Sequence, residues 1–280
     1  MISLILTIFC STSIALILKL NDSNKGNPII LLNGNYLAAS VISLILILIN
    51  SQFVFSWQSL LFGAFLAVFF VSSFFSFAKA VSVAGPALAT VSSRLSVIIP
   101  VFLSIFIFNE IPGTFQYFGI ALALLTIYLF YLSLKNIKHK KLTRLDYFYL
   151  FAVLIGIGIA DFCIKIFQTW RPPAEKEFFL FSIFFFSFLL TGVIILFRKI
   201  PFERKTAFGG MILGIPNIFS TFFLIGALSA LPAIIVYPTV NIGIILLTSL
   251  SAALIWKEKL NGYAKLALIV GSVAILFLSL

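Results

Sequence analysis

Apolar runs of about 20 residues follow one another from end to end of this 280-residue chain. A helix of roughly 20 apolar residues crosses the hydrocarbon layer of a bilayer. In lipid the backbone must satisfy its own hydrogen bonds, so each run is expected to be a helix. Ten segments qualify: 2–20, 28–49, 57–78, 85–108, 114–134, 146–167, 178–197, 208–228, 233–255 and 263–280. Clusters of turn residues separate them, such as "NDSNKGNP", "NEIPG", "TWRPPAEKE" and "WKEKLNG". With 62% hydrophobic and 10% charged residues, the chain has too much apolar surface for one soluble globule of this size. The fold class expected is therefore an all-α polytopic membrane protein with ten transmembrane helices. Met1 opens straight into "ISLILTIFCSTS", with no basic segment before it and no small-residue cleavage site after it. This reads as a first span and not a removable signal.

The net charge of +11 does not indicate a nucleic-acid binder. Such a protein spreads Lys and Arg over one face, whereas here they sit in short clusters between apolar runs. Alternate loops, counted from the first, carry Lys19, Lys25, Lys79, Lys135, Lys138, Lys140, Lys141, Arg144, Arg198, Lys199, Arg204, Lys205, Lys257, Lys259 and Lys265. The other loops carry Arg171 and Lys176. The positive-inside rule then predicts both termini outside and the 135–145 loop inside. The expected location is a bacterial inner membrane, with the lipid bilayer as the main partner. Cys10 and Cys163 both lie in apolar runs, where a structural disulfide is not expected.

The chain also repeats itself. "AVSVAGPALATV" (80–91) matches "ALSALPAIIV" (227–236) with a gap, and "IFIFNEIPGTFQYFGIALALL" (105–125) matches "ALIWKEKLNGYAKLALIVGSV" (253–273). Glu110 falls opposite Glu258, and Lys19 opposite Lys165. Residues 1–137 and 138–280 thus read as two five-helix copies. Five is odd, so the copies enter the membrane from opposite sides. Inverted repeats of this kind build secondary transporters, with the site near the midplane.

Polar residues recur at helical spacing within particular spans. The first has Thr7, Cys10 and Ser11; the third Ser72, Ser73 and Ser76; the fourth Thr90, Ser93 and Arg94, flanked by Ser92 and Ser96. The sixth has Gly158, Asp161 and Lys165; the eighth Asn217, Ser220 and Thr221; the ninth Tyr237 and Asn241. These are equivalent spans of the two copies, which predicts one central cavity. A charge at the bilayer centre costs about 2.5–3.5 kcal/mol, so Arg94 must face a cavity or a partner. Two readings stand open. Arg94 pairs with Asp161, or it receives an anionic substrate group in the bidentate fashion of a guanidinium. They could also be one device, a pair that opens when substrate arrives. By the repeat, Arg94 falls opposite Asn241. Asp161 and Lys165 lie one turn apart and could pair along the helix, or Asp161 could couple transport to protons while Lys165 snorkels.

The expected substrate-binding set is Arg94, Ser93, Asn217, Tyr237, Asn241 and Ser11, with Asp161 and Lys165 for coupling or gating. Pro86, Pro100, Pro216, Pro232 and Pro238 permit kinks, each ordinary in a membrane helix. "GMILG" (210–214) hints at close helix packing. No phosphate-binding G-x-x-x-x-G-K-[ST] exists, and the one histidine, His139, sits in a basic loop. No cofactor, metal site or nucleophile–base pair is expected, so the chain does not read as an enzyme.

With these features in place the sequence resembles the EamA branch of the drug/metabolite transporter superfamily. "NYLAA" in the second span, "NE" and "KE" after the fourth and ninth, and "FGIALALL" and "LALIVGSV" beyond them carry the likeness across the chain. Relatives often have Arg where Asn35 stands and Trp-Gly near Thr12–Ser13, and this chain has neither. The resemblance implies a basket of ten helices around a central cavity, and export or exchange of small metabolites such as amino acids. It also implies cytoplasmic termini, against the charge count, which is the reading kept here. The function expected is a secondary transporter of small polar metabolites, amino acids or organic anions, working by alternating access. The alternative is a lipid-headgroup flippase or an intramembrane transferase.

Overall fold

The computed structural model describes residues 1–23, 26–49, 54–84, 86–134, 143–255, 257 and 261–280. Lys25, Lys135, Lys138, His139, Lys140, Lys141, Glu258 and Lys259, on which parts of the charge and repeat readings rest, lie outside the described residues. The described chain is helical: α1 (Ile2–Ser23), α2 (Pro28–Ile49), α3 (Trp57–Ala84), α4 (Pro86–Leu95), α5 (Ile98–Phe108), α6 (Thr114–Leu134), α7 (Arg144–Trp170), α8 (Lys176–Arg198), α9 (Arg204–Ala230), α10 (Ala233–Ile255) and α11 (Gly262–Ser279). Among the described residues ten segments are long and apolar enough to cross a membrane, α4 and α5 together forming one of them.

The fourth span is not the single helix its apolar run predicts. It breaks at Ser96–Val97, and Pro100 explains where. Proline has no N–H, so the Ser96 carbonyl four residues earlier loses its helical donor. That carbonyl accepts instead from Ile99 N at 3.0 Å, and Val97 N reaches the Arg94 carbonyl at 3.4 Å. The Ser96 hydroxyl donates to the Ser93 carbonyl at 2.6 Å, closing the turn. Gly158 of α7 lies against this break: a Cβ there would come 2.9 Å from the Ser96 carbonyl oxygen and 2.7 Å from the Ile99 Cβ.

By contacts the chain divides into two compact units, and the division passes through α3 and α7. This grouping by contact is of a different kind from the two sequence copies, 1–137 and 138–280. The first unit holds Met1–Val71 and Cys163–Ser229. In it α2 lies along α8 and crosses α9 closely. The crossing needs glycine: a Cβ on Gly210 would collide with the Leu31 carbonyl, and one on Gly214 would lie 2.6 Å from the Asn35 carbonyl oxygen. These are the two glycines of "GMILG". Phe167 and Phe179 stack at 3.8 Å between ring centres, and the Ser182 hydroxyl donates to the Leu60 carbonyl at 2.7 Å.

The second unit holds Ser72–Phe162 and Ala230–Leu280. Here α11 lies along α6, and α10 packs on α5, α6 and α11. Ala123, Ile242, Ala274 and Leu278 form a buried cluster among them. Glu110 accepts from the backbone N of Ile234 at 3.1 Å, satisfying a donor in the first turn of α10 that has no partner within the helix.

Candidate functional site

Arg94 lies in the last turn of α4, next to the break. A cation there is favoured by the helix dipole. Its Nη1 donates to Asn241 Oδ1 at 3.4 Å, across to α10. Asn241 Nδ2 donates to the Tyr237 carbonyl one turn earlier, at 3.1 Å. The Tyr237 hydroxyl donates to the backbone carbonyl of Asp161 on α7. One polar chain therefore joins α4, α10 and the part of α7 before Cys163, all within the second unit. Arg94 and Asn241, which the sequence alignment set opposite each other, are hydrogen-bonded.

Accessibility separates the members of this chain. Tyr237 is 2% exposed and Asn241 8%, whereas Arg94 and Asp161 are each only half-buried. Neutral groups make the frame, and the two charges remain partly accessible. They act on each other electrostatically, yet no ion pair joins them among the described residues. A guanidinium has five N–H donors, and Arg94 has one described hydrogen bond, to a neutral amide. The arrangement can take a ligand with an anionic group on Arg94 and a cationic or protonated group near Asp161. Ser93 is half-buried, and its carbonyl, not its hydroxyl, is engaged, by Ser96.

The other expected site residues fall in the first unit, in three separate pairings. Ser11 Oγ and Ser220 Oγ are 2.7 Å apart, joining α1 and α9. Asn217 Nδ2 donates to Asn35 Oδ1 at 3.1 Å, at the glycine crossing of α2 and α9. Lys165 Nζ donates to Gln168 Oε1 at 3.1 Å, and the residue is 6% exposed. A groove of about 580 Å³ runs between α1 and α9, lined by Phe9, Cys10, Ser13, Pro216, Phe219 and Phe223 among others. It is almost wholly apolar, as a lipid-facing groove would be.

Two polar groups escaped the reading of the sequence. Arg171 and Glu175 form a bidentate pair, Nη2–Oε1 2.8 Å and Nε–Oε2 3.0 Å. Ser56 accepts from Arg171 at 2.8 Å, and Ser59 donates to Glu175. This cluster ties the start of α3 to the α7–α8 turn. Its signal was the spacing of four between Arg171 and Glu175 across "RPPAE". Lys176 Nζ lies 3.1 Å from the centre of the Phe222 ring, a contact between α8 and α9 that no local pattern announces.

Residues 1–132 match the model of the EamA-like transporter family. Over these residues, just under half of its length, the chain is similar to that family. The ten apolar spans are those of a multi-pass integral membrane protein. A protein of Haemophilus influenzae described only as uncharacterized is 27% identical over 271 residues, covering 92% of this chain and 91% of its own. A protein of known crystal structure has the same fold, with a TM-score of 0.79 over 99% of this chain and 94% of that one. At 13% identity this likeness concerns the fold alone.

Proposed function

We propose that this protein, EamA-like over residues 1–132, is a secondary transporter of the drug/metabolite superfamily for small polar metabolites carrying an anionic group, amino acids or organic anions, working by alternating access. The observation that carries the reading is Arg94: a half-buried guanidinium inside a span, with one described hydrogen bond and an acid that acts on it but forms no described ion pair with it. Such a charge is held for a ligand more economically than for the fold. The substrate's carboxylate or phosphate takes the spare donors of Arg94, and Asn241 and Tyr237 fix its approach. Asp161 exchanges a proton or receives a substrate cation as Arg94 is occupied. The broken span beside Arg94 supports movement there, since discontinuous helices commonly form transporter sites.

The two-copy reading, residues 1–137 and 138–280 in inverted orientation, belongs to the same proposal. Three observations support it. Asn109 (φ 53°) and Lys257 (φ 55°) share an unusual left-handed backbone at equivalent places. Arg94 meets its own counterpart, Asn241. The helices most extensively paired, α2 with α8 and α6 with α11, are the second span with the seventh and the fifth with the tenth. Counterparts meet in this way when a pseudo-two-fold axis relates the copies. We place the chain in a bacterial inner membrane with both termini outside, on the charge bias. The H. influenzae relative fits a bacterial setting.

The test is flux. Purified protein in sealed liposomes is given labelled amino acids and organic acids in uptake and exchange modes. Saturable flux of an anionic or zwitterionic solute, lost in Arg94→Gln, is the expected result. Movement of lipid headgroups between leaflets without solute flux would overturn it in favour of a flippase.

A further inference from the structure

The turn between α8 and α9 is unlike the other described turns. Residues 196–208, "LFRKIPFERKTAF", put four basic residues within eight positions. Arg198, Lys199, Arg204 and Lys205 are all exposed. So are the large apolar residues between and beside them: Leu196 at 78%, Phe197 at 85%, Phe202 at 75% and Phe208 at 63%. The one acid of the segment is already engaged. Glu203 accepts from Asn27 N at 3.0 Å and from the Thr206 hydroxyl at 2.7 Å, tying this turn to the α1–α2 connection. It forms no described ion pair with the neighbouring cations. Lys199, Arg204 and Lys205 have no described side-chain partner. Helix electrostatics does not explain two of them. Arg204 and Lys205 occupy the first turn of α9, where the dipole disfavours cations.

We propose that this segment binds anionic phospholipid headgroups of the surrounding bilayer. Both flanking helices cross the membrane, so the turn that joins them lies at headgroup depth. Exposed phenyl rings suit that layer, where the acyl chains begin, and the cations suit the phosphates above it. A soluble phosphate would use the cations and leave the rings in water. The binding is independent of the transport reading and of which side the turn faces.

The probe is dioleoylphosphatidylglycerol, added to the full chain in a neutral detergent and read by thermal unfolding. Dioleoylphosphatidylcholine and glycerol 3-phosphate at the same concentration are the controls. The comparison variant is Lys199→Gln with Arg204→Gln and Lys205→Gln. A second variant, Arg144→Gln with Lys265→Gln, removes charge elsewhere. Phosphatidylglycerol is expected to raise the parent's melting temperature above phosphatidylcholine, less so at high salt. The triple variant should need at least tenfold more of it for the same rise, and the second variant should respond like the parent. Equal responses to the two lipids, or to glycerol 3-phosphate, would overturn the proposal. So would a triple variant that keeps the parent's response. If the triple variant does not fold, Lys199→Gln and Lys205→Gln singly replace it, and unchanged responses in both count against the site.

Discussion

At the scale of single residues the account rests on Arg94 and its neighbours. Arg94→Gln keeps an amide able to reach Asn241 and removes the charge. A charged hydrogen bond contributes about 1.5–3 kcal/mol, so substrate affinity should fall about 10- to 100-fold, as measured by titration or by the KM of flux. Folding should survive, because no described ion pair is broken. Arg94 stood out in the sequence for a physical reason: a charge in an apolar run is costly enough to need explaining. The partner of Asn217, Asn35, was not visible there. Which side of a helix faces a ligand depends on how closely its neighbour approaches. Asn217 met Asn35 because glycines bring α2 and α9 together.

Elements carry two further predictions. The first concerns the glycine crossing. Gly210→Val would drive a side chain into the Leu31 backbone, which cannot yield as a side chain tip would. A cost of roughly 1–3 kcal/mol or more is expected, seen as a lower melting temperature and a poorer yield of monodisperse protein. The second concerns the broken span. Pro100→Ala returns an N–H to the Ser96 carbonyl and lets α4 run on into α5. A proline inside a helix costs about 3 kcal/mol, so the variant should be at least as stable as the parent. It should transport more slowly, because the turn that sets Arg94 toward Asn241 is gone. Stability and flux moving in opposite directions is the outcome to look for. The ten spans were legible because lipid demands about 20 apolar residues of each. The break was not, since a proline in a membrane helix is ordinary until a neighbour such as Gly158 is seen to pack against it.

For the whole molecule, the charge count makes a prediction about sidedness. A cysteine placed at Ser279, in a chain lacking Cys10 and Cys163, should react with a membrane-impermeant maleimide in intact cells. Protection until the cells are opened would reverse the orientation. A pH dependence belongs here too, because Glu203 links two connections on one side. The Asn27 amide, and then the Thr206 hydroxyl, hold the Glu203 carboxyl below the usual carboxylate range. A carboxyl with a depressed value in the folded state stabilises the fold above its unfolded pKa, about 4.3, and ceases to do so as pH falls through the folded value. Glu203→Gln should therefore lose less stability than the parent on acidification below about pH 4.3. The basic clusters between spans stood out in the sequence because loops are free to keep charge and spans are not. The division into compact units was invisible, because it cuts through α3 and α7 and takes segments from both halves.

The central claim is that Arg94 is held for an anionic ligand. The most direct measurement is a thermal-shift screen of purified protein against soluble metabolites, run in parallel on Arg94→Gln. The account predicts a variant as stable as the parent that no longer responds to the anionic compounds stabilising the parent. A variant that unfolds easily and is restored by Asp161→Asn would contradict it, making Arg94 half of a structural pair.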